Sequence, residues 1–88
     1  MMIGGGGKME DNIWQDTINL PGRWAVRARI GDYRWEYWTI LVYAGGGISE
    51  ENENGEGMGT YYSSFDALIA QLEKDGWTKY GFQKVRDV

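Results

Sequence analysis

The strict alternation of residues 23–30 constrains the fold of this 88-residue chain more than any other feature. In the stretch RWAVRARI, every second side chain is apolar, and three of the side chains between them are arginines. The apolar set is Trp24, Val26, Ala28 and Ile30. Because successive side chains of a strand point to opposite sides, this pattern predicts an antiparallel strand with one buried and one polar face.

A second strand is predicted for residues 35–43, after a turn at GDYR. The first half of this stretch carries rings on both sides, with Trp35 and Tyr37 in one row and Trp38 in the other. Both rows are apolar in its second half, which is typical of a central strand that is covered on both sides.

An amphipathic helix is the clearest prediction in the C-terminal half. Its apolar residues recur at the spacing of a single helical stripe, and they are Phe65, Leu68, Ile69 and Leu72. Ser63 and Asp66 have the spacing of a capping box at its start. Gly76 suits the left-handed position after the last turn, and Trp77 suits the apolar contact of a Schellman ending. The following stretch, WTKYGFQKV, predicts a last strand.

Three other segments are less regular. Residues 44–59 hold six glycines and four glutamates and no basic residue, which predicts a flexible acidic loop. Residues 60–63 fit either a return strand or the lead-in to the helix. Residues 12–20 fit either a short helix or an extended strand, and their β-branched residues favour the strand slightly. Residues 1–11 are expected to form a disordered leader.

Together these elements predict an α+β fold in one domain over residues 12–88. One small antiparallel sheet of three to four strands would pack on one C-terminal α-helix, in the order β-β-α-β. Residues 35–43 and the stretch FDALIAQLEKDGWTKYGFQKV at 65–85 resemble small uncharacterised bacterial and phage domains of this order. In those domains a helix ends at Gly-Trp before a closing strand. The resemblance implies no functional residue, because those domains have no agreed activity.

The composition argues against several kinds of chemistry. The chain has no cysteine and no histidine, so it has no disulfide, no thiol nucleophile and no Ser-His-Asp arrangement. The acidic loop lacks the ligand spacing of a calcium loop, and the glycines lack the strand-and-helix context of a phosphate-binding loop. We therefore expect no enzymatic activity, no cofactor and no metal site.

The charge and the hydropathy pattern argue against several classes of partner. A net charge of −4 disfavours a general affinity for nucleic acid or for anionic membranes. No apolar run approaches the roughly 20 residues of a membrane-spanning helix, and the first residues have no signal-peptide pattern. A cytoplasmic location is therefore expected.

The surplus of aromatic and arginine side chains is the remaining feature, because these residues dominate protein-protein hot spots. One competing interpretation is that all the rings belong to the core. We predict instead a small protein-binding module, comparable with phage-encoded inhibitors of host proteins, whose partner is another protein or a second copy of the chain. The predicted surface consists of Arg27, Arg29, Trp35, Tyr37 and Trp38. Two alternatives stay open: a binder of single-stranded nucleic acid or a small ligand by stacking, and a structural homo-oligomer.

Overall fold

The structure, a computed structural model, describes residues 14–52 and 54–85, so the predicted leader lies outside the described residues. These residues form five strands and one helix in a single sheet-and-helix unit. The elements are β1 (Gly22–Arg29), β2 (Glu36–Val42), β3 (Ile48–Glu51), β4 (Gly57–Tyr62), α1 (Phe65–Lys74) and β5 (Lys79–Lys84).

The five strands form one antiparallel sheet in the order β4-β3-β2-β1-β5. The first four strands are a meander, in which each strand pairs with the next one along the chain. α1 then carries the chain from the β4 edge to the opposite edge, where β5 pairs with β1. The α+β class and the antiparallel sheet are confirmed, whereas the prediction of three to four strands in β-β-α-β order is wrong.

The segment predicted to be a flexible loop holds one strand and the start of another. β3 lies wholly within residues 44–59 and includes two of the glutamates, Glu50 and Glu51. β4 begins at Gly57 and extends over residues 60–62, so the return strand, one of the two alternatives for that stretch, is confirmed. The side-chain oxygen of Asn52 accepts hydrogen bonds of 2.9 Å from the backbone N–H groups of Asn54 and Glu56, at the turn between β3 and β4. Ile48 is fully buried in the core. A strand of four residues has too short a pattern to be read, and its pairing with β2 decides its structure.

The N-terminal segment joins the sheet at the outer edge of β5. Gln15 exchanges two backbone hydrogen bonds of 2.8 Å with Phe82. The described residues 14–20 contain no helix, so Gln15 follows the extended alternative. This single bridge places Trp14 beside the sheet, on the side that Phe82 does not face.

The helix begins at a serine cap. The hydroxyl oxygen of Ser64, which has extended backbone angles, accepts a hydrogen bond of 3.1 Å from the N–H of Ala67. The capping residue is therefore Ser64, one position after the predicted Ser63. Among the described residues no helix has the length and apolar character needed to cross a membrane.

The helix ends in the predicted Schellman motif. Gly76 takes a left-handed φ of 94°, and its N–H donates to the carbonyl of Glu73 at 3.0 Å. The N–H of Trp77 donates to the carbonyl of Leu72 at 3.1 Å, which closes the wider hydrogen-bonded loop of the motif. The Trp77 ring also packs against the core.

The core lies between α1 and one face of the sheet. Its buried apolar residues come from four strands and the helix, and they are Trp24, Val26, Ile40, Val42, Ile48, Leu68, Leu72 and Phe82. Phe65 meets Phe82 edge-on, with ring centres 5.3 Å apart. α1 is only ten residues long and buries one stripe, so the opposite face of the sheet keeps its side chains outside this core.

Candidate functional site

We call the sheet face opposite α1 the helix-free face, because none of the described helix packs on it. The pairing register assigns fourteen strand positions to this face. They are Arg23, Ala25, Arg27 and Arg29 of β1, Tyr37, Thr39 and Leu41 of β2, Ser49 and Glu51 of β3, Gly57 and Tyr61 of β4, and Lys79, Gly81 and Gln83 of β5. Arginine and tyrosine therefore stand where a second apolar layer would need aliphatic residues.

One end of the helix-free face carries an interleaved group of rings and guanidinium groups, here called the Arg–Trp cluster. It consists of Trp14, Arg27, Arg29, Trp35 and Tyr37. The guanidinium carbon of Arg27 lies 4.6 Å from the ring centre of Trp14 and 4.3 Å from that of Trp35. That of Arg29 lies 4.6 Å from the Trp35 ring centre. These are cation–π distances, at which each ring attracts the charge above it.

The sheet register explains why these side chains meet. Arg27 pairs with Tyr37 on β2 and with Gly81 on β5, so the three residues form one row across the sheet. Gly81 has no side chain, and the Trp14 ring occupies the space beside it. Trp14 then reaches Tyr37, with ring centres 6.1 Å apart. The cluster is thus built from strand alternation, one glycine and one ring supplied by the N-terminal segment.

The arginines of the cluster have no acidic partner within residues 14–52 and 54–85. The Nε atoms of Arg27 and Arg29 are shielded from solvent and make no hydrogen bond. Both residues are half-buried, and no described residue accepts a hydrogen bond from their terminal nitrogens. Two rings flank the guanidinium group of Arg27 and one flanks that of Arg29, so these groups are held by ring contacts while their terminal N–H donors lack an acceptor among the described residues.

The middle of the helix-free face is organised differently, around a paired arginine. Arg23 donates two hydrogen bonds to the Glu51 carboxylate, of 2.9 Å from Nε and 3.1 Å from Nη2, and Thr39 donates a third of 3.3 Å. Glu51 is only 5% exposed. The hydrogen bond from Arg23 is the largest influence on this carboxyl, and it holds the pKa of Glu51 below its ordinary value although burial acts in the opposite direction.

Trp38, the fifth residue of the predicted surface, lies on the other face of the sheet. It neighbours the core and contacts Trp77, with ring centres 5.9 Å apart. Strand alternation separates it from Tyr37, because adjacent side chains of β2 point in opposite directions. The structure thus brings Arg27, Arg29, Trp35 and Tyr37 together and leaves Trp38 apart from them.

A groove of about 370 Å³ joins the two faces at the end of the sheet that carries the β1–β2 turn. It runs from Tyr37 of the Arg–Trp cluster round to the core side. Its walls are formed by Ile30, Tyr33, Arg34, Glu36, Tyr37, Trp38 and Trp77. Tyr33 and Tyr37 are largely exposed, so the groove adds aromatic surface beside the cluster.

Trp14 is the functional candidate that sequence reasoning missed. Its position in an ambiguous segment gave no reason to place it near Arg27, which is 13 residues away in sequence. The signal that could have found it is Gly81 in an otherwise regular strand pattern, because an isolated glycine in a strand often marks the close approach of another group. Only the chain pairing at Phe82 reveals which group that is.

The remaining chemistry of the described residues is limited. In residues 14–52 and 54–85, no three acidic side chains lie close enough together to hold a metal ion. The helix-free face offers hydrogen-bond donors, ring surfaces and one closed Arg–Glu pair, which suit binding through contact and charge. No known protein family, no curated protein and no solved structure matches this chain.

Proposed function

We propose that this chain is a small, non-enzymatic protein-binding module whose contact surface is the helix-free face, centred on the Arg–Trp cluster. The observation that carries the proposal is the position of Arg27, Arg29, Trp35 and Tyr37 on one uncovered sheet face. Tryptophan, tyrosine and arginine are the residues whose removal most often weakens a protein-protein interface.

The exposure of the rings supports this proposal. Tyr37 is 62% exposed, and Tyr61 at the other end of the same face is 63% exposed. Covering such rings would remove apolar surface from water at about 25 cal/mol for each Å². Because only two torsions fix a tyrosine side chain, little conformational entropy is lost when a partner covers it.

The fixed geometry of the cluster supports it as well. Rings within 4.6 Å of both guanidinium groups restrict the rotamers of two otherwise flexible side chains before any partner arrives. Ordering a long side chain at an interface costs about 0.5–1.5 kcal/mol, and a side chain that is already ordered avoids most of this cost.

Binding of single-stranded nucleic acid or a small planar ligand is a second candidate, which the groove favours. Its 370 Å³ are walled by aromatic residues and lie next to the cationic cluster, so a base could stack there while a phosphate meets an arginine. The net charge of −4 places this candidate second, because it opposes the approach of a polyanion.

The experiment that tests the proposal is affinity capture from lysate with three variants. Trp35→Ala and Arg29→Ala should each lose the captured protein, whereas Lys74→Ala, which removes one cation from the last turn of α1, should retain it. A dispersed NMR spectrum of each variant confirms that it is folded. If both cluster variants capture the protein as well as the parent does, the surface is wrong.

The same preparation separates the other candidates. Sedimentation at two concentrations reports whether the partner is a second copy of the chain. Binding of an oligonucleotide that weakens steeply with salt, together with no captured protein, would favour the nucleic-acid candidate instead.

A further inference from the structure

We propose that the Arg–Trp cluster is a carboxylate-binding site that takes an extended acidic segment of a partner protein. This inference rests on the proposed function and adds the chemistry of the partner. The carboxylates would accept hydrogen bonds from the terminal nitrogens of Arg27 and Arg29.

The charge balance of the helix-free face is the first observation. The strand positions on this face carry four cations, Arg23, Arg27, Arg29 and Lys79, and one acid, Glu51. That acid already accepts two hydrogen bonds from Arg23. In the described part of the chain, no ion pair supplies an acid to Arg27, Arg29 or Lys79.

The crowding of positive charge is the second observation. The guanidinium groups of Arg27 and Arg29 lie 4.3 Å and 4.6 Å from the same ring centre, that of Trp35. Both positive charges therefore lie against one ring, which offsets only part of their mutual repulsion. An anion that contacts both guanidinium groups would offset the remainder, so the cluster favours a negatively charged ligand.

The spacing of the two arginines indicates what shape the ligand has. Arg27 and Arg29 are two residues apart on β1, so their side chains leave the sheet on the same side. In an extended peptide, side chains two residues apart also share one side, at a separation of about 6.6–6.8 Å. A segment with acidic residues at alternate positions can therefore present two carboxylates in register with the two arginines.

The orientation of the donors favours carboxylates held in a fork. The Nε atoms are shielded from solvent without a hydrogen bond, and the terminal nitrogens likewise have no acceptor among the described residues. A planar guanidinium group can donate two parallel hydrogen bonds to one carboxylate, and such charged bonds are roughly twice as strong as neutral ones. The rings of Trp14 and Trp35 flank the Arg27 guanidinium group at 4.6 Å and 4.3 Å, which restricts its movement before a carboxylate arrives.

The charge on the rest of the molecule distinguishes a short acidic segment from a nucleic acid. The chain carries 13 acidic and 9 basic side chains, and four of the basic ones lie on strands of the helix-free face, so the rest of the chain is net acidic. A polyphosphate long enough to extend beyond this face would meet that negative charge. Two carboxylates on a short segment would meet only the local positive charge.

An NMR titration tests the inference with defined probes. The probe is a short blocked peptide with a Glu-Thr-Glu motif, and the matched control peptide carries Gln-Thr-Gln. The five tryptophans provide five indole N–H signals, of which Trp14 and Trp35 report on the cluster. Trp24 is fully buried on the α1 side of the sheet and serves as the internal control, whereas Trp38 and Trp77 line the groove and report on binding there.

The acidic peptide is expected to shift the Trp14 and Trp35 signals most and to leave the Trp24 signal in place. Binding should be at least about tenfold tighter than that of the glutamine peptide, and should weaken with added salt. The double variant Arg27→Gln, Arg29→Gln should lose this difference. An equal response to both peptides, or no response at on the order of 10 mM peptide, would overturn the inference.

A thymidine oligonucleotide and inorganic phosphate are the remaining probes. If either binds the cluster more tightly than the acidic peptide, the site is one for phosphates and the inference is wrong. The failure of the proposed function looks different, because it would leave Trp35→Ala with undiminished capture of protein. If that capture is lost in Trp35→Ala and retained in the double arginine variant, the protein-binding function stands and the carboxylate site does not.

Discussion

The two faces of the sheet are covered by different kinds of side chain. On the face toward α1, β1 contributes Trp24, Val26 and Ala28, which are at most 1% exposed. On the helix-free face the same strand contributes Arg27 and Arg29, which stack on rings and remain partly open to water. One strand of eight residues thus belongs both to a core and to a candidate binding surface.

The difference shows what a chain of this size gains from having one short helix. α1 covers one face, and burial of apolar surface there supplies the main driving force of folding. The helix-free face needs side chains that are stable at a boundary with water, and arginines over rings satisfy this requirement. Because each exposed cation–π contact contributes only about 0.5–1 kcal/mol, this face can serve binding without carrying the stability of the fold.

The largest expected effect separates two tryptophans on opposite faces. Trp24→Ala should lower the free energy of unfolding by about 3–5 kcal/mol, because it empties a fully buried site. Trp35→Ala should lower it by about 1–2 kcal/mol, since the ring contributes mainly its contacts with two guanidinium groups. Urea denaturation followed by far-ultraviolet circular dichroism measures both values.

These two variants test whether the core face contributes more to stability than the helix-free face does. If Trp35→Ala is as destabilising as Trp24→Ala, the Arg–Trp cluster is a second core. The proposal that it forms a binding surface would then be wrong. If Trp24→Ala does not fold, Trp24→Phe provides a milder deletion at the same site and should still cost more than Trp35→Ala.

The second prediction concerns the one buried charge of the helix-free face. Glu51→Gln should destabilise the fold by about 1–3 kcal/mol at neutral pH, because Arg23 loses a charged acceptor that is nearly enclosed. Glu36→Gln is the matched control, since its ion pair with Arg34 is exposed and should contribute at most about 1 kcal/mol.

The pH dependence of stability tests the same pair in the parent protein. The folded-state pKa of Glu51 is lowered, chiefly by its hydrogen bond with Arg23, so its stabilising contribution is present above the unfolded value of 4.5. That contribution is lost as the pH falls through the lower folded value. The loss of stability between neutral pH and a pH of about 3 should therefore be smaller in Glu51→Gln than in the parent. An unchanged loss would contradict this role for Glu51.

The sequence predicts the two faces better than it predicts the number of strands. Alternation in β1 separates the apolar from the arginine side, and the stripe of α1 identifies the element that covers one side. Alternation also places Trp35 and Tyr37 on one side of the predicted second strand and Trp38 on the other. The predicted surface includes all three, so its inclusion of Trp38 is inconsistent with the alternation. Local patterns of this kind repeat within a few residues and so can be read directly.

The features that sequence reasoning missed depend on contacts between distant residues. β3 is four residues long, and its place in the sheet follows from pairing with β2 rather than from any pattern of its own. Trp14 joins the cluster through the bridge between Gln15 and Phe82, which are 67 residues apart. Such pairings reflect tertiary packing, which a short window of sequence does not contain.

The third prediction concerns the start of the helix that covers the core face. Ser64→Ala should cost about 1 kcal/mol, because the N–H of Ala67 loses its acceptor. Ser63→Ala should cost almost nothing, since Ser63 is exposed and does not cap α1. Urea midpoints of the two variants decide which serine is the cap. Equal values would mean that the capping box predicted from Ser63 contributes as much as the observed cap.

The smallest expected effect lies at the covered edge of the sheet and becomes visible at alkaline pH. Burial and, to a lesser extent, the neighbouring Glu50 raise the pKa of Tyr62 to about 12, above its ordinary value of 10.0. The raised value favours the folded state below pH 10.0, and this contribution disappears as the pH rises through about 12.

Tyr62→Phe should change stability at neutral pH by less than about 1 kcal/mol, because it removes one hydrogen bond of 3.3 Å to Glu50. In urea titrations at increasing pH, the variant should lose less stability above pH 10.0 than the parent does. Parallel losses would show that Tyr62 is as open to water as the rings of the helix-free face, and would place the boundary of the core inside β4.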